Sequence, residues 1–552
     1  MRRMSYSRYA TQSPVGAVRR GTIEMISRKR PMTRRGLLRR GVVAGAAAAL
    51  GSNALVLAGG RWSQAAPASG ALTVGLGGDA PSLNPLSDTF APVTSVYYAL
   101  WDPPIDVAFD SSGRVQLVPV LAESWRVLPD HLTWEIKLRT NIKFHNGEDC
   151  DAEAFVFSLN WLLANKSTGN NVKLRLAPIF DSATVVNKYT VRVKTTVPYV
   201  LLPNAFTEFQ PVPPRYFQQV GDARFAQAPV GSGPFRFVDW QRGQQLTLER
   251  NSGYWRKPAQ FNRLVFRPFA EDATRVAALQ AGELDIAFNV PPDATRQLTS
   301  GGFRIQWTPI GQGMNLTLKL TIPSPLTDVR VRQAMNYAVN KHLLIQAVMG
   351  GYGRELRAQL SSPSALGYDP NLAPFPYDPQ RAKQLLAEAG FANGFRMDFD
   401  TSQGRYAKQL EVSEFLVGQY KNVGIALNMQ TYEWGAFVNK EYSAQAAPCF
   451  YTGSNWYPEM DTLYTLAFFE STFSRKQYND PVFDKMLNAA RAEFDLPKRV
   501  AMMQQANAYL RDKAVTVWLF ESPDIFGVGR RVAAFTPTPD DRIHFDLVQV
   551  AG

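Results

Sequence analysis

The sequence predicts an α/β or α+β protein with more than one lobe, and three observations carry this. First, β-rich runs and amphipathic helical runs alternate along the chain. Second, the part after residue 66 holds about 490 residues, more than one ordinary hydrophobic core covers. Third, the composition is globular, 45% hydrophobic against 19% charged, so a disordered chain is excluded. No tandem repeat and no low-complexity tract follows residue 66.

The elements follow in order. "LTVGLGG" reads as a strand running into glycines. "LTWEIKLR" puts Leu132, Trp134, Ile136 and Leu138 on one face, the period of a half-buried strand. "ATVVNKYTVRVKT" holds two β-rich runs about Asn187-Lys188, a hairpin, and "QQLTLERN" is a further strand. From Thr327, "TDVRVRQAMNYAVNKHLLIQAVMGG" reads as one helix with Val331, Ala334, Met335, Ala338 and Val339 on its buried face and an Asp328–Arg332 pair one turn apart. "YDPQRAKQLLAEAG" has Asp378 as cap, Pro379 at the first helical position and Gly390 as stop. "NDPVFDKMLNAARAEFD" and "PKRVAMMQQANAYLRDKA" predict two successive amphipathic helices.

Charge is uneven. Residues 1–66 carry 13 of the 60 Lys/Arg and a single acid, Glu24, so the chain's net +13 lies almost wholly there and the rest is near neutral. A polyanion partner such as nucleic acid needs a basic body, and this chain lacks one. "MTRRGLLRRGVVAGAAAAL" joins arginines to a mild apolar stretch, and Ser63-Gln64-Ala65 then fits a small-x-small cleavage site. Arg34-Arg35, preceded by Thr33 and followed by Gly36, Leu37 and Leu38, resembles the twin-arginine export signal. The alternative is an uncleaved N-terminal anchor. No cysteine stands near the cleavage site, so lipid attachment is not expected.

Catalytic patterns are missing. The four histidines have no metal-ligand spacing, no phosphate-cradling Gly-Lys loop occurs, and Gly231-Ser232-Gly233 is too short for a nucleophile elbow. No catalytic residue, metal or cofactor is expected. Cys150 and Cys449 are either a disulfide of an exported protein or two buried thiols.

Five stretches carry a resemblance. They are Leu121–Leu163 ("LAESWRVLPDHLTWEIKLRTNIKFHNGEDC…"), Val230–Trp255 ("VGSGPFRFVDWQRGQQLTLERNSGYW"), "LQAGELDIAF", "SPLTDVRVRQAMNYAVNK" and "YDPQRAKQLLAEAG". In this order they resemble the extracytoplasmic solute-binding proteins of ABC importers, in the peptide/nickel class. The resemblance implies a two-lobed periplasmic-binding-protein-like α/β fold with an extra subdomain and an interlobe ligand cleft. It also implies a monomer that captures a peptide-like or small solute and delivers it to the transmembrane subunits of an ABC permease. The segments expected are 1–66 signal region, 67–113 and 229–309 in lobe I, 114–228 the extra subdomain, 310–518 lobe II, and 519–552 a return to lobe I.

The resemblance also implies contacts. Thr89, Phe90 and Ala91 map to the cleft, as does Phe157 on the acidic helix. "YTGSNWYPEMDTLYTLAFF" matches the family's ligand loop from Tyr457 onward and offers Gly453, Asn455, Trp456, Glu459 and Asp461. Trp456 stands where peptide-binding relatives place an aspartate for the peptide's α-amino group. An indole stacks on a cation or sugar rather than neutralising an ammonium. In a shifted alignment Glu459 is the acid instead. The departure leaves room for glycans, cationic metabolites or modified peptides. Two rival readings are a twin-arginine-exported cofactor enzyme and an exported chaperone or sensor on the same fold.

Overall fold

The computed structural model describes residues 70–87, 94–165, 170–455 and 460–551. One eleven-stranded mixed sheet organises them. Its lobe I half runs Phe235–Gln241, Gln245–Arg250, Arg263–Pro268, Ala71–Leu76 and Ile286–Ala287. Its lobe II half runs Cys449–Asn455, Phe395–Gln403 and Ile425–Glu433. Two long antiparallel strands, Arg304–Leu318 and Thr516–Val528, lie between and belong to both halves, and the short strand Arg354–Glu355 pairs with the second of them.

The ladder between these two strands is broken in the middle. Arg304 to Pro309 pair with Val528 to Pro523, and pairing resumes at Gly313 opposite Glu521. Pro309 and Pro523 face each other at the break. Neither has an N–H to give, so the ladder opens where they meet. The Gly311 N–H instead donates to Pro539 O at 2.9 Å, on the segment that returns to lobe I.

Each half has its own core. Leu72, Val74, Trp101, Leu264 and Phe526 are buried in lobe I, and Leu316, Val331, Phe399 and Leu416 in lobe II. A four-stranded antiparallel sheet (Ala122–Val127, Thr133–Leu138, Thr190–Thr195, Phe180–Asn187) with the helix Ala152–Ala164 forms the extra subdomain. Of the predicted strand face, Trp134, Ile136 and Leu138 are buried in the strand Thr133–Leu138, while Leu132 falls just before it and is half-buried. The hairpin turns at Asn187–Thr190.

Helix caps fall where their chemistry puts them. Asp378 accepts from Arg381 N ahead of Pro379–Glu388, and the two helices near the end are Pro481–Arg491 and Leu496–Asp512. The single helix read from Thr327 is two, Val329–Tyr337 and Lys341–Ala347. Asn340 ends the continuity by accepting from Leu343 N at 2.9 Å as the cap of the second. The Asp328–Arg332 pair does not form. Asp328 caps the first helix and pairs with Arg330, while Arg332 is buried and donates to the carbonyls of Leu326, Thr327 and Lys513. Cys150 and Cys449 are both free and buried, in separate clusters. Among the described residues no helix is long and apolar enough to cross a membrane.

Candidate functional site

The ladder break opens onto a cavity of ≈ 790 Å³. Lobe I contributes the start of the helix Asp272–Gln280 and the loop Phe288–Pro292. The hinge strands contribute Ile310, Gln312 and Ser522–Ile525, lobe II contributes Gly404–Lys408, and the return segment contributes Asp541. The volume lies within the usual few hundred to ~1,000 Å³ of small-molecule sites.

The lobe I wall is fixed by one side chain. Arg275, 1% exposed, donates to Phe288 O at 2.6 Å, Phe269 O at 2.8 Å, Asn289 O at 2.8 Å and Asp272 at 2.6 Å. Its donors thus hold the loop in place. That loop turns at Asn289 (φ 49), whose amide donates to Asp524 Oδ1 at 3.2 Å. Asp524 is buried beside Asp541. Burial and the neighbouring carboxyl raise Asp524 far above the usual carboxylate range, and burial with Asp540 nearby raises Asp541 to about 7.

The lobe II wall carries one aromatic ring, Tyr406, between Arg405 and Lys408. Arg405 lies 5.2 Å from the Tyr406 ring and 5.6 Å from the Trp434 ring. The Tyr406 hydroxyl is 3.3 Å from Thr452 Oγ1. Lys408 pairs with Glu411 at 3.1 Å and reaches across to Asp293 of lobe I. Charge and an aromatic face thus meet on this side of the cavity. Among the described residues no group of three or more His, Cys, Asp or Glu is placed to hold a metal ion.

The sequence-derived candidates fall unevenly. Arg34, Arg35, Thr89, Phe90, Ala91, Trp456 and Glu459 lie outside the described residues, as does the Asn455 side chain. Gly453 backs the cavity: a Cβ there would stand 3.0 Å from the Gln312 side chain and 3.1 Å from Tyr406. Asn455 pairs with Gln312 in the sheet. Phe157 packs edge-on against Phe217 at 5.8 Å and is not on the cavity wall. Asp461 is fully buried and caps the helix Thr462–Ala467 through Leu463 N at 2.9 Å. Tyr97 and Trp101 are buried in the lobe I core. The sequence reading missed Arg275, Asn289, Arg405, Asp524 and Asp541. Its available signal was a proline inside each of two β-rich runs, "QWTPIGQG" and "FESPDIF".

Two lobes joined by opened strands around a cavity are the architecture of a ligand-capturing protein. The chain belongs to the bacterial extracellular solute-binding proteins, family 5, whose description matches residues 116–475. It is 28% identical over 477 residues to heme-binding protein A of Haemophilus influenzae, covering 80% of this chain and 85% of that protein. It is 27% identical over 472 residues to the dipeptide-binding protein of Escherichia coli, covering 79% and 87%. The fold is shared with NikA from Brucella suis in complex with Fe(III)-EDTA (TM-score 0.78, 22% identity, 87% of this chain and all of that one). HbpA2 from Haemophilus parasuis shares it too (TM-score 0.76, 23% identity, 87% of this chain and all of that one). The protein is therefore an exported, non-catalytic binding protein that captures a peptide-like or other small organic solute and delivers it to an ABC permease.

Proposed function

We propose that the solute is held in the hinge cavity, with lobe closure bringing Arg405 and Tyr406 down onto it. The observation that carries this reading is the composition of the wall: lobe I, lobe II and both hinge strands each supply part of one ≈ 790 Å³ space. A ligand touching all of them favours the closed state over the open one, which is what drives closure. Relatives named for binding heme, a dipeptide and glutathione support a compact organic ligand with peptide-like groups. Thr89–Ala91 and Trp456 complete the contact set in this proposal, Trp456 as a stacking surface. The protein acts as a monomer and leaves the cytoplasm by the twin-arginine route through Arg34 and Arg35.

Native mass spectrometry of the mature protein from its own host tests the reading. A monomer with an organic adduct, lost on denaturation and weakened in Trp456→Ala, is expected. A dimer, or an adduct indifferent to both Trp456→Ala and Tyr406→Ala, refutes it. Changing Arg34 and Arg35 to Lys leaves precursor in the cytoplasmic fraction, and normal export of that variant rules out the twin-arginine route.

A further inference from the structure

We propose that the paired carboxyls of Asp524 and Asp541 are the cation subsite of the cleft, taking a primary ammonium or guanidinium group of the solute. The inference rests on the reading that the solute occupies the hinge cavity, and it names the chemical class that the cavity selects.

The geometry is built rather than incidental. Both residues line the cavity. Asp524 lies one residue past Pro523, where the hinge ladder opens, and Asn289 orients it. Asp541 is brought opposite by the return segment, which Gly311 N–H anchors at Pro539 O. Three cations lie in the vicinity and offset the pair's charge in part, but none forms an ion pair with it. Arg275 faces Asp524, yet its Nε, both Nη2 donors and one Nη1 donor are engaged by Phe288, Asp272, Asn289 and Phe269. Arg542 and Arg405 face Asp541, together with the acid Asp540. Arg542 is bound to Asp106 at 2.6 Å and to Thr207 at 3.0 Å. Arg405 lies over the Tyr406 and Trp434 rings. Among the described residues no lysine or arginine nitrogen comes within 4.0 Å of either carboxylate of the pair. Two acids with no ion-paired lysine or arginine, on the wall of a ligand cavity, leave a place that a ligand cation fills.

The protons balance simply. Burial and the nearness of the two carboxyls favour a proton shared by the resting pair. A cation arriving with its own N–H donors lowers both carboxyls, and the shared proton leaves to solvent as the ion pair forms. Cation capture is therefore stronger in mildly alkaline than in mildly acidic medium.

The test uses the mature chain, a random tripeptide library, its N-acetylated copy, and agmatine as a cation without a peptide backbone. Retention is read by mass spectrometry at about pH 8 and about pH 6, either side of the range where the pair titrates. The expected result is that N-acetylated peptides are retained only when they contain Lys or Arg. Retention falls about tenfold in Asp524→Asn/Asp541→Asn and also falls at the lower pH. Asp541→Asn alone serves if the double variant unfolds. Agmatine retained without any tripeptide upholds the subsite and removes the peptide-like reading. Tripeptides retained with no preference for a cation, or equally by the variants, overturn the subsite and leave the cavity reading intact. Retention of neither probe by the wild type overturns the subsite.

Discussion

His145 gives a pH dependence whose size follows from its surroundings. Its Nε2 lies 3.0 Å from Gly233 O, and its Nδ1 is 3.2 Å from Gly231 N. A backbone carbonyl only accepts and a backbone N–H only donates. The ring must therefore be neutral, with its proton on Nε2. The two glycines it holds press on the end of the helix Thr94–Leu100: a Cβ on Gly231 would overlap the Leu100 carbonyl, and one on Gly233 would stand 2.6 Å from Leu100 C. Burial, with Arg236 adding to it, lowers the His145 pKa to about 4 despite the opposing bond to Gly233. A base depressed in the folded state contributes stability that is complete above its unfolded value and is lost as pH falls through its folded value. Against an unfolded value of about 6.5, that loss comes to about 2 kcal/mol by pH 5 and about 3 kcal/mol by pH 4. Urea unfolding of wild type and His145→Gln across this window isolates the effect, because the other titrating groups are common to both. The wild type is expected to lose about 2 kcal/mol more than the variant between pH 7 and pH 5. A wild-type-minus-variant difference that stays flat over that interval refutes the argument.

Three further outcomes follow from the same contacts. Arg542, fully buried, holds Asp106 at 2.6 Å and lies 4.6 Å from the Tyr98 ring. Arg542→Met strands buried carboxylates and is expected to cost about 3–5 kcal/mol in urea unfolding, and a loss below about 1 kcal/mol contradicts this. Lys408 and Asp293 join the lobes at the cleft rim, but the Asp293 side chain is 72% exposed. Lys408→Met is therefore expected to shift the open–closed balance no more than about fivefold, read by fluorescence transfer between labels on the two lobes, and high salt should reproduce the shift in the wild type. Gly453→Val pushes a side chain against Gln312 and Tyr406. Loss of the wild-type ligand adduct with unfolding changed by only about 1–3 kcal/mol is expected, and an unaffected adduct would separate Gly453 from the site.

Much of the fold was legible because it is local. Alternation at Trp134, Ile136 and Leu138 fixes a strand face, and Asp378-Pro379 states a helix start whatever surrounds it. The reading failed where two local rules competed. Across Ala338 and Val339 the apolar period runs on, which reads as one helix, and both residues are indeed buried. The chain instead restarts at Asn340, whose cap is visible only once its side chain is seen to accept from Leu343 N. The charge pair at Asp328 and Arg332 failed similarly. Spacing allows it, but Arg332 faces inward to carbonyl groups from Lys513 and the Leu326–Thr327 turn.

The site was not legible, because its position is a consequence of register. No pattern links Asn289, Pro309, Asp524 and Asp541 along the chain, and their meeting depends on which residue of Arg304–Leu318 faces which of Thr516–Val528. Once Pro309 faces Pro523, the rest follows in steps. Neither proline donates, so the ladder opens and Gly311 N–H must find another acceptor. It takes Pro539 O, which draws in the return segment two residues before Asp541. Asp524, just beyond the break, then has a carboxyl as its neighbour on the cavity wall. Hinge and charged wall thus have one origin, and replacing Pro309 and Pro523 together by alanine acts on both. The repaired ladder can offer N–H donors at the break, stiffen the joint between the lobes, and loosen the segment that carries Asp541. Such a variant would keep both cores while losing closure and capture together.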